Sequence, residues 1–134
     1  MRLKAILVSS IGILIASCSV LPGFGESSGT SGYHMISVAG LQELMGSEEF
    51  TLVNVHIPLE GNIPGTDVTI PYDEIEHYVD LLPAEKDAKI VLYCRSGPMS
   101  RTASQKLVDL GYTNVYDLEA GYNAWVANNL PFEE

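Results

Sequence analysis

Lys89–Tyr93 reads KIVLY and runs directly into Cys94-Arg95-Ser96-Gly97. An unbroken apolar run rich in β-branched residues predicts a strand buried on both faces, as in a parallel sheet. Thr51–Val55 (TLVNV) has the same character. At 134 residues the chain has the length of one domain.

Shorter signals surround these two runs. His34–Ser37 is a strand candidate, and Ser37 can cap a helix running through Met45, with Val38, Leu41, Leu44 and Met45 at helical spacing. Ile57–Thr66 (IPLEGNIPGT) is rich in turn residues, and Val68–Ile70 fits a short strand. Asp73–Leu82 reads as a helix stopped by Pro83, with Ile75, Tyr78, Val79 and Leu82 on one side. Ser100–Leu110 reads as a helix with Ala103, Leu107 and Leu110 facing inward and Gly111 as its stop. Val115–Leu118 is a last strand, and Ala120–Asn128 a last helix burying Trp125. Strands alternating with helices predict an α/β fold, a small parallel sheet flanked by helices on both faces.

Chemistry in such folds gathers at the carboxyl ends of the strands. At the end of the clearest strand stands Cys94, followed by a glycine-containing turn and a helix expected to begin near Ser100. Loop N–H groups and the positive end of the helix dipole would then face the sulfur and favour the thiolate, the form that attacks. Arg95 places a cation beside it. The competing reading is an inert buried cysteine.

Several motifs, taken together, resemble the rhodanese-like domain, a small α/β sulfurtransferase family, over Ile36 to Phe132. Cys94-Arg95-Ser96-Gly97 resembles the family's active-loop opening, with Ser100 where its following helix begins. Ile63-Pro64-Gly65-Thr66 resembles its Ile-Pro-Gly-Ala turn, and Gly111–Gly121 followed by Ala124-Trp125 resembles its C-terminal motif. The resemblance implies sulfane-sulfur transfer through a persulfide on Cys94, with Arg95, Ser96, Gly97, Met99, Ser100 and Arg101 around the substrate. It implies a small sulfur donor, a thiol or cyanide acceptor, and no metal or other cofactor. Pro98 has no N–H to contribute to the loop.

The chain departs from the family where Asp-Val-Arg is frequent: here the residues are Asn54-Val55-His56. Asn54 can hydrogen-bond the neighbouring loop but cannot balance a charge. The family's histidine before Ile-Pro-Gly is Asn62, and Met99 holds a loop position where the family often has arginine. Arg101, taken as the second residue of the helix, is either an anion ligand or a solvated cation. His56 is either structural or a proton carrier, whereas His34 and His77 belong to no motif. Tyr33, Tyr72, Tyr112, Tyr116 and Tyr122 read as packing residues with solvated hydroxyls.

Two other function classes remain beside sulfur transfer. One is a non-enzymatic module presenting a persulfide or a surface, which the presence of Cys94 argues against. The other is phosphatase or arsenate reductase chemistry, which favours arginine at the sixth position after the cysteine, here Ser100. Seventeen acidic and seven basic residues give a net charge of −10, which argues against a nucleic-acid partner. Two cysteines, Cys18 and Cys94, are too few for a cysteine-built zinc site.

The N-terminus reads as a targeting segment. Arg2 and Lys4 precede the uncharged stretch Ala5–Ala16, the size of a signal-peptide core and short for a membrane span. Ile15-Ala16-Ser17-Cys18 resembles a bacterial lipobox. The expected organisation is a signal peptide over residues 1–17, a lipidated Cys18 with a tether to residue 32, and a domain from 33 to 134. Acyl chains on Cys18 would hold the protein extracytoplasmically on a membrane, periplasmic or at the outer face. The alternatives are an uncleaved anchor, cleavage without lipidation, or a buried helix. Cleavage would take the charge to −12 by removing Arg2 and Lys4, and acylation of Cys18 would leave Cys94 as the one free thiol. The serine- and glycine-rich tether would reach about 20 Å.

Overall fold

A computed structural model of the chain describes residues 32–134. The targeting segment, Cys18 and the tether before Gly32 lie outside the described residues. Five parallel strands form one sheet in the order β1-β5-β4-β2-β3, where β1 is His34–Ile36, β2 Thr51–Asn54, β3 Val68–Thr69, β4 Ile90–Tyr93 and β5 Val115–Leu118. The predicted apolar runs are thus the interior strands, and KIVLY supplies the central one.

Three α-helices cover the sheet: α1 (Val38–Ser47), α2 (Pro98–Asp109) and α3 (Gly121–Ala127). Ser37 caps α1 by accepting the Gly40 N–H at 3.0 Å. Alternation along β4 assigns its side chains to two cores. Val91 and Tyr93 pack with Leu41 and Leu44 of α1 and with Tyr122 and Trp125 of α3. Ile90, Leu92 and Cys94 pack on the opposite face with Ala103 and Leu107 of α2. The period of two therefore aims Cys94 at the helix that begins three residues after Arg95. Truncating a fully buried leucine in either layer, such as Leu92, costs about 2–5 kcal/mol.

Three expectations need correction. Ile75–Leu81 is a 3₁₀ segment interrupted by non-helical backbone at Tyr78, and Tyr78 is exposed. Ile75 and Leu82 are buried at its two ends, so the segment is pinned there and needs no continuous apolar face. Helix α2 begins at Pro98, because proline's fixed φ and missing N–H suit a first turn. Met99 is thus helical and Arg101 is the fourth helical residue. Leu110 lies past the end of α2 and is partly exposed.

Among the described residues no helix is long and apolar enough to cross a membrane.

Candidate active site

The site is built where β4 ends. Cys94 is buried, 1% exposed, and its Sγ accepts the Gly97 N–H at 3.0 Å. The Ser100 hydroxyl lies 3.4 Å from the same sulfur and 3.0 Å from the Gly97 carbonyl oxygen. Its single hydrogen serves one of the two at a time. The expected ring of loop N–H groups is therefore narrower than the sequence suggested: Gly97 supplies the hydrogen bond, and Ser100 adds a hydroxyl from the first turn of α2.

Gly97 sits at φ +121°, a backbone conformation that disfavours any side chain. A Cβ there would also meet Arg101 Nη1 at 2.8 Å. The Arg101 guanidinium consequently lies against the loop while the residue itself is exposed, an arrangement compatible with both readings of it, anion ligand and solvated cation. Among the described residues it forms no ion pair.

Arg95 is also exposed but differs in being paired: its Nη1 lies 3.3 Å from Glu60 Oε1. Ser96 is exposed as well, whereas Met99 is half-buried and packs on the apolar cluster that contains Cys94. The structure thus brings Gly97, Ser100 and Arg101 to the sulfur loop and turns Arg95 toward a neighbouring segment.

Helix α3 locks the loop from the other side. The Tyr122 N–H donates to the Cys94 carbonyl at 2.9 Å, and the Asn123 N–H to the Arg95 carbonyl at 3.0 Å. This contact needs glycine at 121. A Cβ there would stand 2.2 Å from the Cys94 carbonyl oxygen.

Two residues at this site have no local signal in the sequence. Glu60 receives Arg95 on one oxygen; its other oxygen faces His56 Nε2 at 3.3 Å and accepts the Tyr122 hydroxyl. Tyr122 is buried, so its hydroxyl is not solvated as expected. Nor is that of Tyr112, which donates to the Pro83 carbonyl at 3.1 Å. The hydrogen bond from Tyr122 holds the Glu60 carboxyl below its usual range. Burial, and then Glu60 itself, push the Tyr122 phenol well above its ordinary value. His56 is buried edge-on against the Tyr122 ring at 5.6 Å, with Nδ1 unpartnered.

Asn54 holds this segment in place. Its Oδ1 accepts the His56 N–H at 3.0 Å, which fixes the amide orientation, and its Nδ2 donates to Gly61 O at 2.8 Å and Asn62 Oδ1 at 3.0 Å. The expected link to the neighbouring loop is present, and it uses donors that an aspartate lacks.

Asp117 is the second residue without a local signal. It faces α2 from β5, fully buried, and neither carboxyl oxygen has a hydrogen-bond partner. Burial raises its pKa to about 6, opposed by the neighbouring Ser100 hydroxyl and Arg101 charge. Among the described residues no group of three or more His, Cys, Asp or Glu side chains is placed to hold a metal.

A parallel sheet with a cysteine closing its central strand, under a helix N-terminus, defines a class of domains built around a nucleophilic sulfur. The chain belongs to the rhodanese-like domain family, whose match spans residues 37–128. It is 30% identical over 95 residues to a thiosulfate sulfurtransferase, GlpE, of Pseudoalteromonas translucida, covering 69% of this chain and 88% of the relative. A rhodanese-related protein from Thermoplasma volcanium superposes with a TM-score of 0.63 at 29% identity, covering 75% of this chain and 97% of the other. A protein of unknown function from Rhodopseudomonas palustris, described as a possible tyrosine phosphatase, superposes with a TM-score of 0.66 at 26% identity, covering 78% and 87%. The relatives support sulfurtransferase activity in general.

Proposed function

We propose that the protein is a membrane-tethered, extracytoplasmic sulfurtransferase that carries sulfane sulfur on Cys94. The observation that carries the reading is the convergence of the Gly97 N–H and the Ser100 hydroxyl on the Cys94 sulfur. With thiosulfate, the Cys94 thiolate attacks the outer sulfur, the sulfur–sulfur bond of the donor breaks, and sulfite leaves with its electron pair. Cys94 is left as a persulfide anion. An acceptor thiolate or cyanide then attacks the outer sulfur, and the Cys94 thiolate returns, so the cycle is balanced. Donors preset at the Cys94 sulfur stabilise its thiolate, the form that attacks the donor and leaves at the end of the cycle, without reorganising, as in an oxyanion hole. Cys94 is the only free cysteine among the described residues, so a second molecule discharges the persulfide.

Incubation with donor is expected to add one sulfur mass at Cys94. Cys94→Ser is expected to abolish transfer to cyanide or a thiol while leaving the fold intact. Turnover in a folded Cys94→Ser protein would sink the mechanism.

The tether is supported by Ile15-Ala16-Ser17-Cys18 and its preceding apolar stretch. Membrane recovery should depend on Cys18, and an unmodified N-terminus on the membrane-fraction protein would overturn that part. At the sixth position after Cys94, where phosphatase chemistry favours arginine, stands Ser100; a chromogenic phosphate ester is expected to stay intact.

A further inference from the structure

The charges on the two sides of the loop are not equivalent. On one side Arg101 lies against Gly97, free of ion pairs among the described residues. On the other, Arg95 is engaged by Glu60, which also takes the Tyr122 hydroxyl and faces His56. This second cluster lies within electrostatic reach of the sulfur: Arg95 follows Cys94 in the chain, and the Tyr122 N–H bonds the Cys94 carbonyl. Beside it opens a groove of about 550 Å³ lined by Glu60, Arg95, Tyr122, Val126, Phe132 and Glu134. The Tyr122 and Phe132 rings lie 4.7 Å apart and form an aromatic wall.

We infer that Glu60 is a specificity-determining residue that turns the site from the thiosulfate dianion toward persulfides and polysulfanes with an organic body seated in the Tyr122–Phe132 groove. A dianion gains most from two free cations, and Glu60 occupies one of them. A singly charged persulfide needs one, which Arg101 supplies, and its organic part gains from apolar contact. The identity of the donors rests on the sulfurtransferase reading; the charge effect at Cys94 does not.

Alkylation separates the two. Iodoacetate and iodoacetamide are close in size and differ in charge, and their rates at Cys94 are read by peptide mass. Glu60→Gln should raise the iodoacetate-to-iodoacetamide rate ratio by about 3–10-fold, the effect of one partly screened charge. Glu60→Asp should stay near the unaltered ratio. Glu76→Gln, on the 3₁₀ segment, makes the same change in net charge away from the groove and should leave the ratio unchanged. The kcat/KM for thiosulfate relative to benzyl persulfide, which carries one charge and an apolar body, should rise with the alkylation ratio in Glu60→Gln. An unchanged ratio in folded Glu60→Gln, or an equal shift in Glu76→Gln, overturns the inference. If Glu60→Gln does not fold, Arg95→Gln tests the pair from the other side, and a ratio that fails to drop overturns it. A shifted alkylation ratio without sulfur transfer from any donor upholds the charge role and overturns the sulfurtransferase reading.

Discussion

The two flanks of the Cys94 loop are built on different principles. The α2 flank is local: Gly97, Ser100 and Arg101 follow Cys94 within seven residues, and one turn brings the first two to the sulfur and Arg101 against Gly97. The other flank is assembled from afar, with Glu60 donated by the loop after β2 and Tyr122 by α3, 62 residues later. Nucleophile geometry is thus carried by a short motif, whereas the charge beside it is set by tertiary contacts. One flank could change its charge without disturbing the other.

Breaking the distant flank at its tightest point should have the largest effect. In Gly121→Ala a Cβ would lie 2.2 Å from the Cys94 carbonyl oxygen and 2.6 Å from the Arg95 carbonyl carbon. Both neighbours are backbone, so the loop or α3 must move. A misplacement of about 1 Å at a reacting atom costs on the order of 100-fold in rate. We expect sulfur transfer to fall by at least that order, with a lower Tm. Near-normal turnover would show that docking of α3 does not position the nucleophile.

What was legible in the sequence follows the same division. KIVLY gave the central strand because an interior strand admits only apolar side chains, and Cys94-Arg95-Ser96-Gly97 marked the site because a loop closing on itself is encoded locally. Sequence signals place the start of α2 at Ser100, two residues late, because Pro98 suits a loop as well as a first turn. Glu60 is not legible in the sequence because an acidic residue in a proline- and glycine-rich loop has no periodic signature. Only the docked α3 reveals its partner. Asp117 falls within the last strand of the sequence, Val115–Leu118, and only the packing of α2 on β5 shows that its carboxyl is sealed.

That sealed carboxyl offers a smaller test, of the local flank. Asp117 has a folded pKa of about 6, raised from 3.8 chiefly by burial. The folded state therefore binds more protons than the unfolded state between those values. Stability is expected to be highest at low pH as far as this group is concerned, and to decline as pH rises from about 4 through 6. The difference amounts to on the order of 2–3 kcal/mol. Asp117→Asn should remove this pH dependence and raise stability at pH 7. Urea unfolding at pH 5 and pH 7.5 measures it. A parallel decline in both proteins would assign the dependence to other groups. Because Ser100 neighbours both Asp117 and the Cys94 sulfur, the pH profile of Cys94 alkylation should also lose an inflection near 6 in Asp117→Asn.

Met99→Arg gives the smallest expected effect and the sharpest comparison of the flanks. Met99 is in the first turn of α2, half-buried on the cluster that contains Cys94. An arginine stem can cover the same apolar surface while its head stays in water. A cation at a helix N-terminus is unfavourable by about 0.3–1 kcal/mol, so a slight loss of stability is expected. Added positive charge near the sulfur is worth about 1 kcal/mol after solvent screening, or several-fold in rate. The kcat/KM for thiosulfate should rise by that factor relative to an organic persulfide. The double variant Met99→Arg, Glu60→Gln then tests whether the flanks are separate. Groups acting independently on one anion give multiplicative effects, whereas groups that share it give less than the product. Since Glu60→Gln frees Arg95 on the far side of the loop from Met99, the product is expected. A double variant no faster with thiosulfate than the better single one would mean that the two flanks meet the donor through one common site, and the division drawn between them would fail.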